Sequence, residues 1–360
     1  MNPKVDTPRA RDKIRTITLS DVAVGGDIHR IILDGITPPP ATSARAVREA
    51  VIADYDALRR LMLSYPYGNE DMCADLLFPS TQPEADSAYI IMECMGYPYF
   101  SGSNTMAAMA ALVEYGRVAA QEGLNTLCLE APSGLVEGQC RIAEGRIEEV
   151  IVRGDEAYVV ADHQRVEVNL PGHKAIDCAL VWSGAPFIMV DAEALGITID
   201  EAHVGQMKEI GHAVIDAIRP SFSLTHPDIG DIDSVGFVHF MGPLETATDP
   251  NGAPKYRATG ATYGYPSTVF YCPTGTGTAA RMALEVTRGT MAADGVFDIQ
   301  SPPGHHFTGR GLGWVTRSGQ QMLATTVAAK PFVLGTTVMT LDFDNPVMRP
   351  FDSLKPLLGL

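Results

Sequence analysis

Ser101-Gly-Ser-Asn-Thr-Met-Ala-Ala-Met-Ala110 and Thr274-Gly-Thr-Gly-Thr-Ala-Ala-Arg-Met-Ala283 are two copies of one phrase. At a constant offset each copy has a hydroxyl residue, a Gly, a second hydroxyl residue, a Thr, an Ala, a Met and an Ala. Each then runs on to a glycine, Gly116 in the first and Gly289 in the second. Ala and Met at helical spacing predict a short packed helix after a small-residue turn, and the closing Gly takes the left-handed conformation at a helix C-terminus without penalty. One such phrase is ordinary; two at matching offsets point to a duplicated half. The halves are expected to face each other across a shared pocket. A helix N-terminus presents N–H groups without partners and a partial positive charge, so two of them would grip a small carboxylate from both sides.

The bulk numbers bound the class. At 360 residues the chain is long for one core and comfortable for two domains. Apolar residues at 46%, charged residues at 19% and a mean hydropathy near zero fit a soluble globular protein. A formal charge of −16 argues against a nucleic-acid partner, whose phosphates need a basic footprint. The basic head (Lys4, Arg9, Arg11, Lys13, Arg15) lacks a following apolar stretch, so it reads as a frayed terminus and not a signal peptide. No apolar run approaches the roughly 20 residues that span a bilayer. Six cysteines are scattered with no CxxC pair and read as the reduced core thiols of a cytoplasmic protein, and no His, Cys or carboxylate cluster has metal-ligand spacing.

With 34 Gly and 25 Pro the chain is punctuated into short segments, which favours strands. Apolar or alternating runs fall at residues 15–19, 30–33, 89–92, 126–129, 147–152 and 166–170, then at 179–181, 187–190, 235–240, 322–327 and 337–341. Residues 45–63 predict the longest helix, and 201–219 another, with Val204, Met207, Ile210, Val214 and Ile218 near helical period. Each half opens alike, Asp21-Val-Ala-Val-Gly-Gly before Ile31 and Asp177-Cys-Ala-Leu before Gly184 and Phe187. The expected division is residues 1–180, with 340–360, for the first half and 181–339 for the second.

These phrases resemble the proline racemase family, which includes hydroxyproline epimerases and trans-3-hydroxyproline dehydratases. Asp21-Val-Ala-Val-Gly-Gly-Asp-Ile-His-Arg30 is similar to the family's Asp-x-His-x-Gly-Gly-Glu-x-x-Arg. Tyr65-Pro-Tyr-Gly-Asn-Glu-Asp-Met72 is similar to its Glu-Pro-Arg-Gly-His-x-Asp-Met, and Ala131-Pro-Ser-Gly-Leu-Val-Glu137 to its Thr-Pro-Ala-Gly-x-Val. Ser301-Pro-Pro-Gly-His-His-Phe-Thr-Gly309 resembles its Ser-x-x-Gly-x-x-Phe-x-Gly. The resemblance covers nearly the whole chain in order. It implies an α/β, diaminopimelate epimerase-like fold of two pseudo-symmetric halves, each a mostly antiparallel β-barrel around a central helix. It also implies no cofactor, a small-molecule carboxylate substrate and a homodimer. Its site would place Ser101 and Thr274 at the two catalytic positions. The amides of Gly102, Ser103, Gly275 and Thr276 would hold the carboxylate, with Asn104 and Phe270 beside the substrate.

Both of those catalytic positions carry a cysteine in the family and a hydroxyl here. A thiol titrates near 8.5 and lower at a helix N-terminus, whereas an alcohol holds little alkoxide without an activating base. The family's substrate-nitrogen partners, a His and an Asp, are replaced by Ser103 and Phe270. Candidates for a missing base are Cys272, Asp71, His305 and His306, while Tyr65 and Tyr67 replace a family Glu and Arg. The expectation is a cofactor-independent lyase acting at the α-carbon of a small cyclic amino acid, like a trans-3-hydroxy-L-proline dehydratase. Ser101 would serve the α-proton's face and Thr274 would face the leaving group. The alternatives are a hydroxyproline or proline epimerase, an isomerase of a non-amino carboxylate, and a member that binds carboxylates without turnover.

Overall fold

Two strand cages, each closed around one helix of the repeat, organise the computed structural model, which describes residues 13–154, 156–248 and 254–360. The helices are α1 (Ala44–Asp54), α2 (Ala57–Leu63), α3 (Gly102–Glu114), α4 (Val204–Ile218) and α5 (Gly275–Thr287). The two repeat phrases form α3 and α5. Each is buried on almost every side, which their Ala-rich and Met-bearing composition allows. Gly116 and Gly289 follow them with φ of 62° and 75°, the left-handed caps that the sequence predicts.

The cages share one topology. In the first, Ile14–Val24 and Asp27–Asp34 form a hairpin. Asp27–Asp34 then runs parallel to Cys73–Phe78 after a crossover through α1 and α2. Cys73–Phe78 pairs antiparallel with Ser87–Met92, and Ser87–Met92 lies parallel to Gly123–Ala131 after a crossover through α3. Two further hairpins add Gly134–Ala143 and Arg146–Arg153. The second cage repeats every step. His173–Trp182 and Pro186–Asp191 form the hairpin, and Pro186–Asp191 runs parallel to Phe237–Met241 across α4. Phe237–Met241 pairs with Pro254–Gly264, which lies parallel to Val296–Gln300 across α5. His306–Arg317 and Gln320–Ala329 complete it.

The last strand of each cage is exchanged. Tyr158–Leu170 follows the first cage in sequence but pairs with His173–Trp182 of the second, and Pro331–Asp342 pairs back with Ile14–Val24 of the first. The chain therefore changes cage between Arg153 and Tyr158 and again before Pro331, rather than near residues 180 and 340. The reason is that Tyr158–Leu170 turns straight back onto His173–Trp182 through Pro171-Gly172, while the strand in the matching place of the first cage comes from the far end of the chain. Arg146–Arg153 also pairs with Gln320–Ala329, which fuses the cages into one sheet.

Equivalent residues of the repeat do equivalent work. A Cβ on Gly138 would sit 2.5 Å from Met109 Sδ, and one on Gly309 would sit 2.5 Å from Met282 Sδ. Each repeat Met thus packs onto a glycine of its own cage. The predicted helix over 45–63 is interrupted at Tyr55-Asp56, where the Asp56 carboxylate accepts from Tyr97 Oη (2.9 Å) and Arg59 Nε (2.8 Å). Of the basic head, Lys4, Arg9 and Arg11 lie outside the described residues. Lys13 pairs with Asp344, and Arg15 donates to the carbonyls of Leu358 and Gly359, so both clasp the C-terminal segment. Among the described residues no helix is long and apolar enough to cross a membrane.

Asp75 is fully buried in the strand Cys73–Phe78, opposite Ile31 and Ile91, and neither carboxylate oxygen has a hydrogen-bond partner among the described residues. Burial, and then the proximity of Glu93, holds its carboxyl well above the usual carboxylate range. Folding above pH 4 must therefore return a proton to Asp75, so its contribution to stability is greatest at low pH and is lost as pH rises. Asp75→Asn removes that proton uptake. The melting temperature of the variant minus that of the parent is expected to be more positive at pH 8 than at pH 5, read by thermal unfolding at both values.

Candidate functional site

The N-termini of α3 and α5 meet head to head. A Cβ on Gly275 would lie 3.0 Å from Gly102 Cα, and one on Gly102 would lie 3.2 Å from Gly275 Cα, so only glycine lets the backbones approach this closely. The hydroxyl three residues after each glycine is turned back in the same way. Thr105 Oγ1 donates to Ser101 O and Thr278 Oγ1 to Thr274 O, both at 2.7 Å. Neither cap residue, Ser101 or Thr274, uses its side chain to close the helix. The first-turn amides therefore lack an internal capping acceptor. Two positive helix ends pressed together without capping oxygens make a site for an anion.

A narrow cleft opens over this junction. Ser101 and Ser103 line it from one helix start and Thr274 and Thr276 from the other. Phe100, Phe187, Phe237 and Phe270 wall it, with Phe187 stacked on Phe237 at 4.9 Å between centroids. Such a wall suits a small ring with apolar carbons. Among the lining residues the single ionisable side chain is that of Glu93.

On the Ser101 side a buried polar network surrounds Glu93. Asn104 Nδ2 donates to Glu93 Oε1 and to Ser101 Oγ, each at 2.8 Å. With both amide hydrogens used, Asn104 Oδ1 is the acceptor for His29 Nδ1 at 3.0 Å, which makes His29 a neutral imidazole protonated at Nδ1. Burial pushes the His29 pKa down to about 4, in keeping with that state. Burial raises the Glu93 carboxyl to about 7, against the hydrogen bond from Asn104 that lowers it.

The Thr274 side is built differently. Thr274 carries φ 63° and ψ 130°, a conformation that β-branched residues rarely adopt, whereas Ser101 is extended at φ −149°. Its hydroxyl lies 2.8 Å from Thr262 Oγ1, which lies 2.8 Å from His239 Nδ1. His239 is fully buried and held down to about 3, so it is a weak base. Cys272 is also buried. Its Sγ accepts the Thr274 N–H at 3.1 Å, and burial beside Asp27 holds the thiol well above its usual value. Asp27 accepts the Tyr271 N–H at 2.7 Å and is raised by burial to about 6.

Several residues marked in the sequence thus come together: Ser101, Gly102, Ser103, Phe270, Thr274, Gly275 and Thr276. Asn104 stands behind Ser101, fully buried, and orients its neighbours. The candidate bases do not line the cleft. Asp71 accepts from Thr268 Oγ1 at 3.0 Å and braces the two cages. His306 is exposed on Asp298, and His305 is exposed with its ring against Gly26. Tyr65 is 91% exposed, and Tyr67 hydrogen-bonds Met348 Sδ. Glu93 escaped sequence reading. Its signal was a carboxylate directly after the largely apolar strand Ser87–Met92, a place where a charge is buried only for a reason.

Residues 19–352 match the family described as proline racemase. A protein of Chromohalobacter salexigens is 34% identical over 93% of this chain and 91% of its own length. One of Marinobacter nauticus is 35% identical over 96% of each. Among solved structures, a probable proline racemase from Agrobacterium radiobacter K84 with bound carbonate has a TM-score of 0.82 at 26% identity, covering 96% of this chain and 98% of that one. A hydroxyproline epimerase from Agrobacterium vitis with bound trans-4-hydroxy-L-proline has a TM-score of 0.81 at 24% identity, covering 94% and 98%. The expected two-halved α/β fold is shared with both.

The glycine contact at the helix junction is open to a direct check. Gly275→Ala forces the two helix starts apart, and a displaced amide no longer points at a bound anion. Affinity for a small ring carboxylate such as pyrrole-2-carboxylate is expected to fall by about tenfold or more, measured by calorimetry. Unchanged affinity would place the anion elsewhere.

Proposed function

The chain belongs to the proline racemase family, and we propose that within it this protein is a cofactor-independent dehydratase of a trans-3-hydroxy-L-proline-like amino acid. One observation carries the reading: the cleft has acid–base capacity on one face only. Glu93 serves the Ser101 face, while the Thr274 face offers two hydroxyls backed by a weakly basic, buried His239. Racemisation needs a competent proton carrier on each face. Elimination from the trans-3-hydroxy isomer does not. Its hydroxyl lies on the ring face opposite the carboxylate, and so does the α-proton, so both leave from one face.

The rest of the site agrees. The helix-end amides of Gly102, Ser103, Gly275 and Thr276 would hold the carboxylate, and the bound carbonate of the similar Agrobacterium radiobacter protein is a small anion of the same kind. The phenylalanine wall accommodates the ring carbons. The expected product is an enamine that tautomerises to pyrroline-2-carboxylate. The sequence alone assigns the leaving group to Thr274; on this geometry the leaving group departs on the Ser101 face, and Thr274 closes the opposite one.

A second reading, isomerisation of a carboxylate without a ring amine, draws on Phe270, an apolar ring where the family holds the substrate nitrogen with a carboxylate. Proton NMR of the protein with trans-3-hydroxy-L-proline in D₂O separates the two. Loss of substrate with growth of pyrroline-2-carboxylate is the expected result. An unchanged spectrum, α-proton included, would reject the dehydratase and favour the second reading.

Ser101→Cys combined with Thr274→Cys restores a thiol at each helix N-terminus, where the positive helix end favours the thiolate. The double variant is expected to gain interconversion of L- and D-proline that the parent lacks, followed by optical rotation.

A further inference from the structure

We propose that Glu93 is the group that takes the substrate's α-proton and returns it to the departing hydroxyl, with Asn104 as its positioning residue. This rests on the dehydratase reading above. Glu93 lines the cleft at the helix junction, beside Ser101. Asn104 Nδ2 and, at 3.9 Å, Cys73 Sγ both direct their hydrogens to Oε1. Among the described residues no protein donor is directed to Oε2, the oxygen left to meet substrate. Ser101 cannot do the same work. Its Oγ already accepts from Asn104, so the hydroxyl is set to donate, and an alcohol is a poor proton acceptor.

The step balances within one face. Ionised Glu93 removes the α-proton, so the Cα–H bond breaks and an O–H bond forms on Oε2. The freed electron pair forms the Cα–Cβ double bond as the Cβ–O bond breaks. The departing hydroxyl takes the proton back from the Glu93 carboxyl and leaves as water, and Glu93 is again ionised. Two other features serve this exchange. The His29–Asn104 hydrogen bond fixes which way the amide points, so its Nδ2 always faces Glu93 and Ser101. Burial keeps the carboxyl near neutrality, where one group both accepts and gives a proton.

The titratable groups around Glu93 are the carboxyls of Asp27 and Asp75 and the thiols of Cys73, Cys94 and Cys272, while Arg59 reaches only its backbone carbonyl. Glu93→Gln keeps the shape and the acceptor for Asn104 and removes the base. Glu93→Asp keeps the charge and withdraws it by one methylene. The test measures dehydration of trans-3-hydroxy-L-proline and binding of pyrrole-2-carboxylate, which is planar at its carboxylate-bearing carbon like the enamine. Dehydration is expected to fall about a thousandfold in Glu93→Gln and less in Glu93→Asp, with pyrrole-2-carboxylate still bound by both. Dehydration in Glu93→Gln within tenfold of the parent would overturn the assignment and leave the dehydratase reading standing.

If the parent itself does not dehydrate the substrate, the dehydratase reading fails, and Glu93 is judged by proton linkage. An anion bound beside Glu93 should draw a proton onto it near pH 7.5, read by calorimetry in buffers of different ionisation enthalpy. Uptake by the parent that vanishes in Glu93→Gln upholds Glu93 as the proton carrier facing the ligand. Equal uptake in both, or none in the parent, overturns it.

Discussion

The head-to-head contact of two helix N-termini is the constraint on which the site depends. Aligned peptide dipoles put partial positive charge at both ends, and bringing them together is unfavourable until an anion lies between them. Gly102 and Gly275 make the approach possible because a side chain on either would strike the other's backbone. The cap hydroxyls stay out of the helix ends, so the amides are kept for a ligand. Each cage then holds its helix rigidly. The exchange of Tyr158–Leu170 and Pro331–Asp342 between cages ties the two helices to a common frame.

Contacts between the cages converge on the second helix start. The Gly25-Gly26 hairpin tip of the first cage fits against Cys272, Phe307 and His305 of the second, with both glycines at positive φ. Next to it Asp27 accepts the Tyr271 N–H, and Cys272 accepts the Thr274 N–H. The left-handed φ of Thr274 is thus held by its surroundings on both sides. Such conformations cost of order 1–3 kcal/mol and persist where the structure over-determines them, commonly at functional sites.

Symmetry of the frame contrasts with asymmetry of the chemistry. The two phrases share their Thr-to-cap-carbonyl bonds and their Met-on-glycine packing, yet their polar neighbours diverge. One side places a raised carboxyl held by an oriented amide; the other places two threonines and a neutral imidazole. Burial is the common cause of both states. It keeps a carboxyl protonated longer and an imidazole neutral further into acid, so the same low-dielectric shell yields a proton carrier on one face and an inert backing on the other.

The sequence by itself determined the duplication, the two buried helices, their glycine caps and the hydroxyl-for-thiol replacements at Ser101 and Thr274. These are local properties, carried by helical spacing, by residues that tolerate left-handed backbone and by the acidity of a functional group. Only the tertiary structure decided which strand closes which cage, because pairing of Pro331–Asp342 with Ile14–Val24 spans nearly the whole chain. It also decided which acid faces the cleft. Asp71, His305 and His306 carry suitable chemistry but point to a brace or to solvent, while Glu93 acquires its character from burial and from Asn104. A proton affinity of that kind belongs to a three-dimensional environment, and no spacing along the chain encodes it.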